Sequence, residues 1–466
     1  MQSSFCKRLV RKGYTPFCEG DVLFAKITPC MENGKMAVAP PLRNGLGFGS
    51  TEFHVLRAHP GIRAAYLYYY VSSESFRREA EHNMSGAVGQ RRVTTPYLSV
   101  CKLPIPPTNE QRRIVAKIEE LFSELDKGIE SLKTAQAQFK VYRQALLKHA
   151  FEGKLTAQWR ADNPDKLESA DALLKRIQQE RAERFEQQLA DWEAAGKQGS
   201  KPKAPKPLPP LTAEGLGELP KLPGGWTWVK LGVFIASIDA GKSFKCDERE
   251  PRPDEIGVAK VSAITWGEYD ESESKTCTDT SKENNTYLIR TGDFILSRAN
   301  TIDLVGACVI AKRVSKKIML SDKTLRIVFE GYSKQYFLNF LRSRTGRKQI
   351  MQLSTGNQES MRNIGQERIR SIAVPICAEG EVDMVLKTLD AKLSEADQLD
   401  QTLTTSLQQA EALRQSILKK AFSGRLVAQD PHDEPASVLL ARIKAARESA
   451  TQKPTAAGRR TQKTTA

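Results

Sequence analysis

Histidine is scarce in this chain, and cysteine forms no pattern. Five histidines are scattered over 466 residues, and the eight cysteines, at positions 6, 18, 30, 101, 246, 277, 308 and 377, include no C-x-x-C and no nearby histidine pair. A zinc site needs such ligands at close spacing, so no metal is expected, and the thiols read as reduced and mostly buried. No Ser/His/Asp or Cys/His arrangement for nucleophilic catalysis can be argued either. No apolar run approaches the roughly 18 residues of a membrane span. The first residues do not read as a signal peptide, which makes the cytoplasm the expected location.

Cofactor loops are also missing. Gly241-Lys242-Ser243 has the end of a phosphate-binding loop, but the glycine needed five residues before Gly241 is Ala236. Asp162-Asn163-Pro164-Asp165 lacks the second proline and the aromatic residue with which amino-methyltransferases hold a flipped base. No glycine-rich loop follows a strand to bind a methyl donor. The chain is therefore expected to be non-catalytic and to hold no cofactor.

What is present is positive charge and repetition. A formal charge of +16 at pH 7 with 40% hydrophobic residues favours a folded protein with a polyanionic partner, nucleic acid first. Residues 143–158, from Arg143 to Gln158, return 271 positions later as 414–429, identical at ten of sixteen positions. Gly20-Asp21 returns as Gly292-Asp293, Ala25-Lys26 as Ser297-Arg298, and Leu103-Pro104-Ile105 as Val374-Pro375-Ile376. A period this long exceeds the roughly 20–50 residues of a solenoid unit, so it marks two copies of a whole domain plus a helix. Glu152-Gly153-Lys154 could be half of a nuclease carboxylate–lysine set, but its copy Ser423-Gly424-Arg425 keeps the glycine and loses the carboxylate. That favours a structural turn at a helix end.

Six segments follow. Residues 1–106 form a first mixed α/β domain, with strands at 22–27 and 53–56 and a helix from Ala64 to Arg78. Residues 107–160 hold a long helix capped at Thr108 or Asn109, whose apolar stripe runs Ile114, Ile118, Leu121, Leu125, Ile129, Leu132 and continues through Phe139, Tyr142 and Leu146. Residues 161–217 read as a charged helix and a Pro/Lys-rich linker, and 218–377 as a second mixed domain. Residues 378–429 form a second long helix, with a seam running from Val382 through Leu386, Leu389, Leu393, Ala396, Leu399, Leu403, Leu407 and Leu413 to Ile417. Residues 430–466 form a short helix and a basic, disordered tail. Each long helix has one apolar stripe, and the cheapest cover for each is the other, antiparallel under the two-fold. The fold class is thus α+β: two mixed domains in pseudo-two-fold repeat, joined by two long antiparallel coiled-coil helices.

Charge is uneven within the second domain. Residues 221–289 carry 9 Lys and Arg against 12 Asp and Glu, net −3, whereas 290–375 carry 16 against 6, net +10. Arg, Asn and Gln can pair with base edges, and Lys with phosphate. The candidate DNA-binding residues here are Lys242, Arg298, Asn300, Lys316, Lys323, Asn357, Gln358 and Arg362. In the first domain they are Lys26, Gln90, Arg91 and Arg92, the last three in a polar loop that precedes the exit strand, as residues 354–358 do in the second. A solvated basic face is the plainer reading of these residues.

The chain resembles the specificity subunits of type I restriction-modification enzymes. The resemblance rests on Leu222-Pro223-x-Gly225-Trp226 with Leu231-Gly232, the two Gly-Asp strand motifs, Pro104-Ile105-Pro106-Pro107-x-x-Glu110-Gln111 leading into a long helix, and the Arg-Gln-x-Ile/Leu-Leu-Lys-x-Ala-Phe-x-Gly-Lys/Arg-Leu block that closes each helix. It implies two target-recognition domains that each read one half of a bipartite double-stranded DNA site. It also implies two methylation subunits and restriction subunits as partners, which supply the chemistry. The first domain departs from the pattern: Gly20-Asp21 follows only 19 residues and no Leu-Pro-x-Gly-Trp entry, so its start is expected to be missing. A coiled-coil scaffold with protein-binding α/β domains is the rival reading, and the basic half-domain counts against it.

Overall fold

A computed structural model describes residues 13–451, apart from 88, 199–200, 203, 205–208 and 359–360. The expected tail past Thr451 and much of the Pro/Lys-rich linker lie outside the described residues. The chain divides into two compact units, residues 1–135 with 402–466, and residues 136–401. Each is mixed α and β.

In the first unit, β1 (Thr15–Cys18), β2 (Val22–Ala25), β3 (Met36–Val38), β4 (Leu46–Gly49) and β5 (Phe53–Leu56) form a β1–β4 pair and a sheet of order β3-β2-β5. Both neighbours of β2 are antiparallel, with Val22 opposite Val38 and Leu56. Val22 and Phe24 alternate inward and pack with Met31, Val71, Phe76, Ala80 and Val93. The helix expected from Ala64 to Arg78 is instead two, Ala64–Ser72 and Glu74–His82. Ser73 lies between them in extended backbone, and its Oγ accepts the Phe76 amide at 3.4 Å, so an N-cap residue ends one helix and starts the next. The hairpin β6 (Met84–Ser85) and β7 (Arg92–Val93) follows.

The first long helix spans Thr108–Phe151 and the second Glu379–Phe422. Within the first unit, Ile114, Val115, Ile118 and Phe122 of one pack with Ile417, Leu418 and Ala421 of the other. Their directions oppose, since Asp126 pairs with Arg414, and Arg113, earlier in the chain, pairs with Asp433, later in the chain. Phe422 stands edge-on to Tyr66 and Tyr70, 5.3 Å from each.

The second unit repeats this scheme with more strands. They are β8 (Thr227–Lys230), β9 (Ile235–Ala240), β10 (Cys246–Asp247), β11 (Ile256–Ala259), β12 (Ser274–Cys277), β13 (Phe294–Ser297), β14 (Ala299–Asn300), β15 (Cys308–Ile310), β16 (Lys317–Met319), β17 (Thr324–Phe329), β18 (Thr355–Gln358), β19 (Met361–Asn363) and β20 (Ala373–Ile376). The central sheet has order β15-β13-β17-β9, a second has order β10-β12-β11-β16, and a small third has order β14-β19-β18. Helices Lys334–Arg342 and Arg344–Leu353 meet at Ser343, which caps the second, as Ser73 does in the first unit. Phe151 stands edge-on to Tyr336 at 5.1 Å and Phe340 at 5.2 Å. The start of the second long helix lies beside the end of the first here, through Arg143 with Asp397 and Arg160 with Glu381.

Both long helices end as the glycine spacing predicts. Gly153 and Gly424 have φ of +68° and +69°, and the following amides reach back to His149 O at 2.8 Å and Lys420 O at 2.9 Å. This is the left-handed cap that a side chain would strain. The seam needs correction at three places. Leu399 and Leu413 are 50% and 52% exposed and Tyr142 is 42% exposed, while Ala396 and Ala410 are buried. A 3.6-residue helix drifts about 20° per heptad from a 3.5-residue stripe, so a seam drawn at steps of three and four over 44 residues leaves the true contact line.

Candidate nucleic-acid interface

The small third sheet brings most of the second unit's candidates together. Arg298 bridges two elements through its backbone: its amide donates to Lys323 O at 2.9 Å, and its carbonyl accepts the Ile364 amide at 2.9 Å. The next strand residues pair with β19, Ala299 opposite Asn363 and Asn300 opposite Arg362, and Gln358 faces Met361 across the hairpin. Arg298 Nε donates to Asn363 Oδ1 at 3.4 Å. Arg298, Asn300, Lys323, Gln358 and Arg362 thus share one two-stranded ribbon and its support. The backbone of Asn357 belongs to β18, but its side chain lies outside those described.

The first unit builds the same frame. The Lys26 amide donates to Glu52 O at 3.0 Å, and its carbonyl accepts the Val93 amide at 2.8 Å. Ile27 bridges to Arg92, and the Thr28 amide donates to Arg91 O at 3.0 Å. Gly86 and Gly356 occupy one position in the two hairpins, with φ of +123° and +137°. A Cβ on Gly86 would lie 3.0 Å from Gln90 O, and one on Gly356 would lie 2.3 Å from Met361 O. The equivalences are therefore Lys26 with Arg298, Glu52 with Lys323, Gln90 with Met361, Arg91 with Arg362, and Arg92 with Asn363.

Several cations of this frame are already engaged. Arg362 donates to Gly356 O at 2.8 Å, Ser354 O at 3.1 Å and Ser354 Oγ at 3.3 Å, which braces the hairpin it belongs to. Its equivalent Arg91 reaches Glu32 at 3.4 Å and Glu81 at 3.5 Å. Arg92 forks onto Glu52 at 2.9 and 3.1 Å, and its Nη1 donates to Gln90 O at 2.9 Å. Asn300 Nδ2 donates to Ser297 Oγ at 3.4 Å, and its Oδ1 accepts the Thr301 amide at 2.8 Å. Two candidates stand elsewhere. Lys242 Nζ lies 5.7 Å from the Tyr287 ring, after Gly241, which is packed on the backbone of Leu320 and Ser321. Lys316 lies just before β16, ion-paired with Glu250, and its amide donates to Glu271.

The net +10 of residues 290–375 overstates the charge this unit offers a partner. Arg326 pairs with Asp239 and Asp293, both at 3.3 Å. Arg342 donates to Cys308 O at 2.9 Å, and Arg347 to Ile302 O at 3.0 Å while stacking 4.3 Å over Trp266. Burial pulls both of these guanidiniums below the ordinary arginine range. Guanidinium forks here hold main-chain carbonyls of the fold.

Two residues of the frame escape a reading by residue type, Glu52 and Asn363. The internal offset finds both: 271 positions before Lys323 is Glu52, and 271 after Arg92 is Asn363. The Gly-Asp motifs prove structural. Asp21 accepts Arg57 at 2.8 and 2.7 Å and the Cys18 amide at 2.7 Å, and Asp293 accepts the Arg290 amide at 2.9 Å. The Arg57 hydrogen bonds hold the Asp21 carboxyl below the usual carboxylate range. Among the described residues, no group of His, Cys, Asp and Glu could hold a metal ion, and no helix is long and apolar enough to cross a membrane.

Residues 9–133 match the family model of the type I restriction modification DNA specificity domain. The chain is 29% identical to the type I restriction enzyme EcoEI specificity subunit of Escherichia coli, over 88% of this chain and 74% of that protein. It is 26% identical to the EcoAI specificity subunit of the same species, over 89% and 74%. A solved structure concerned with complex assembly and conformational transition of the type I R-M system covers 89% of this chain and 85% of its own at a TM-score of 0.60 and 18% identity, a likeness of fold. With the repeated frame, the paired Gly-Asp motifs and the two helix-closing blocks, these matches agree on what the chain is similar to: the specificity subunits of type I restriction-modification systems.

Proposed function

We propose that this chain is the sequence-specific DNA-recognition subunit of a type I restriction-modification complex and contributes the address without the chemistry. Two recognition domains in pseudo-two-fold repeat, on two antiparallel long helices, would each read one half of a bipartite target. The observation that carries this reading is the repeated hairpin frame. A two-stranded ribbon fits the major groove, and the two ribbons hold one backbone geometry under different polar side chains, which suits two different half-sites. Two methylation subunits and the restriction subunits are the proposed partners, in the cytoplasm. Candidates on or beside the ribbons, Lys26, Gln90, Arg298, Lys323 and Gln358, are the ones proposed to approach DNA. Lys242 and Lys316 are proposed as more distant phosphate contacts.

The test is a methyl-transfer assay. The isolated chain is expected to bind DNA weakly and transfer no methyl group, and adding the methylation subunit is expected to produce methylation of one split sequence. Arg298→Ala should then relax selectivity for the second half-site by about 1–3 kcal/mol. Methyl transfer by the purified chain alone would sink the reading.

A further inference from the structure

The two frames share their backbone hydrogen bonds but differ in charge at two positions, Glu52 against Lys323 and Arg92 against Asn363. Around Arg298 stand Lys323 and Asn363, giving two cations and a neutral amide. Around Lys26 stand Glu52 and Arg92, giving two cations and a carboxylate. The Arg92 hydrogen bond first, and the Lys26 charge after it, hold the Glu52 carboxyl below the usual carboxylate range, so it is ionised at neutral pH. The Arg92 and Glu52 side chains are 39% and 38% exposed. An ion pair that open to water adds little stability, so holding the fold together is a weak reason for it.

We infer that these three positions form the specificity node of each domain, and that the charge at Glu52 or Lys323 selects the base edge the node accepts. The inference rests on the hairpins being the DNA-reading elements. A carboxylate accepts from the cytosine N4 amino group in the major groove, whereas lysine and arginine donate to guanine O6 and N7 and asparagine pairs with adenine. Glu52, oriented by Arg92, sets an acceptor beside donors, so the first half-site contains a cytosine read by Glu52. Lys323 and Arg298 offer donors, so the second half-site contains a guanine at the equivalent place. The opposite charges also bar exchange: a cytosine amino group facing Lys323, or guanine acceptors facing Glu52, would leave groups without partners.

The experiment uses the chain assembled with its methylation subunits. Methylated sequences are selected from random DNA by wild type, Glu52→Gln, Glu52→Lys, Lys323→Glu and Arg298→Ala complexes, each checked by thermal melting. Glu52→Gln is expected to lower discrimination at one C·G pair of the first half-site on the order of tenfold. Glu52→Lys should move that preference toward guanine, and Lys323→Glu should alter the second half-site alone. Unchanged base preferences in folded Glu52 and Lys323 variants would overturn the inference, as would a first half-site that requires no C·G pair. If Arg298→Ala relaxes the second half-site while the charge variants change nothing, only the node falls. If Arg298→Ala also changes nothing, the hairpin reading falls with it.

Discussion

Arg160→Ala is expected to destabilise the unit of residues 136–401 by about 3–5 kcal/mol, read as a lowered midpoint of urea unfolding at unchanged slope. The Arg160 and Glu381 side chains are 13% and 1% exposed, so the substitution leaves a carboxylate out of water and without its cation. Thr156 Oγ1 donates to the same carboxylate at 2.6 Å, and one hydroxyl does not replace a guanidinium. Arg160 also donates to Thr156 Oγ1 at 3.0 Å and to the Gly153 carbonyl at 2.5 Å, which ties the end of the first long helix to the start of the second. In the other copy the equivalent of Glu381 is Glu110, 271 positions earlier and also buried. Removing both charges in Arg160→Met with Glu381→Leu should cost far less than Arg160→Ala alone, because no unpaired charge is then left buried. A loss below about 1 kcal/mol for Arg160→Ala would show that water reaches the carboxylate and that this joint does not hold the unit together.

Local rules made the long helices legible, because a stripe at three- and four-residue steps and a glycine after Phe151 and Phe422 each act within one or two turns. The same locality explains the misses. Ser73 ends a helix because its own hydroxyl caps the next one, and the Tyr- and Leu-rich pattern around it hid a break one residue long. Spacing puts Leu399 and Leu413 on the seam along with Ala396, whereas both leucines are exposed, Ala396 is buried as expected, and Ala410, off that stripe, is buried as well. The charge asymmetry was legible as a count but not as a surface. Arg342 ends one helix and Arg347 lies on the next, and their forks close on carbonyls more than 30 residues away in the chain. Glu52 and Arg92 are 40 residues apart, and only the pairing of the strands brings them together. Even so, the internal repeat holds the correspondence that locates Glu52 and Asn363, since a duplicated domain serves as its own alignment.

Gly356→Ala is expected to abolish most selectivity for the second half-site, on the order of a hundredfold, with the melting temperature of the complex little changed. The position has φ of +137°, where any L side chain is strained by about 1–3 kcal/mol. The new Cβ would also lie 2.3 Å from Met361 O and 3.3 Å from the Arg362 Cα, which are backbone atoms that cannot rotate away. The hairpin would have to open, and Arg362 would lose the Gly356 carbonyl it now holds at 2.8 Å. The core survives because its buried residues, such as Phe294, Leu296 and Phe337, lie in the central sheet and the helix beside it. Gly86→Ala should weaken the first half-site by a smaller factor, since its Cβ would meet Gln90 O at 3.0 Å. Binding isotherms at several salt concentrations, on the intact target and on targets with one half scrambled, separate the effects. Phosphate contacts should keep the salt dependence of nonspecific binding, while the gap between intact and second-half-scrambled DNA closes. A Gly356→Ala complex that still tells those two DNAs apart as wild type does would remove the ribbon from the reading surface, because no hairpin of this geometry can hold a Cβ there.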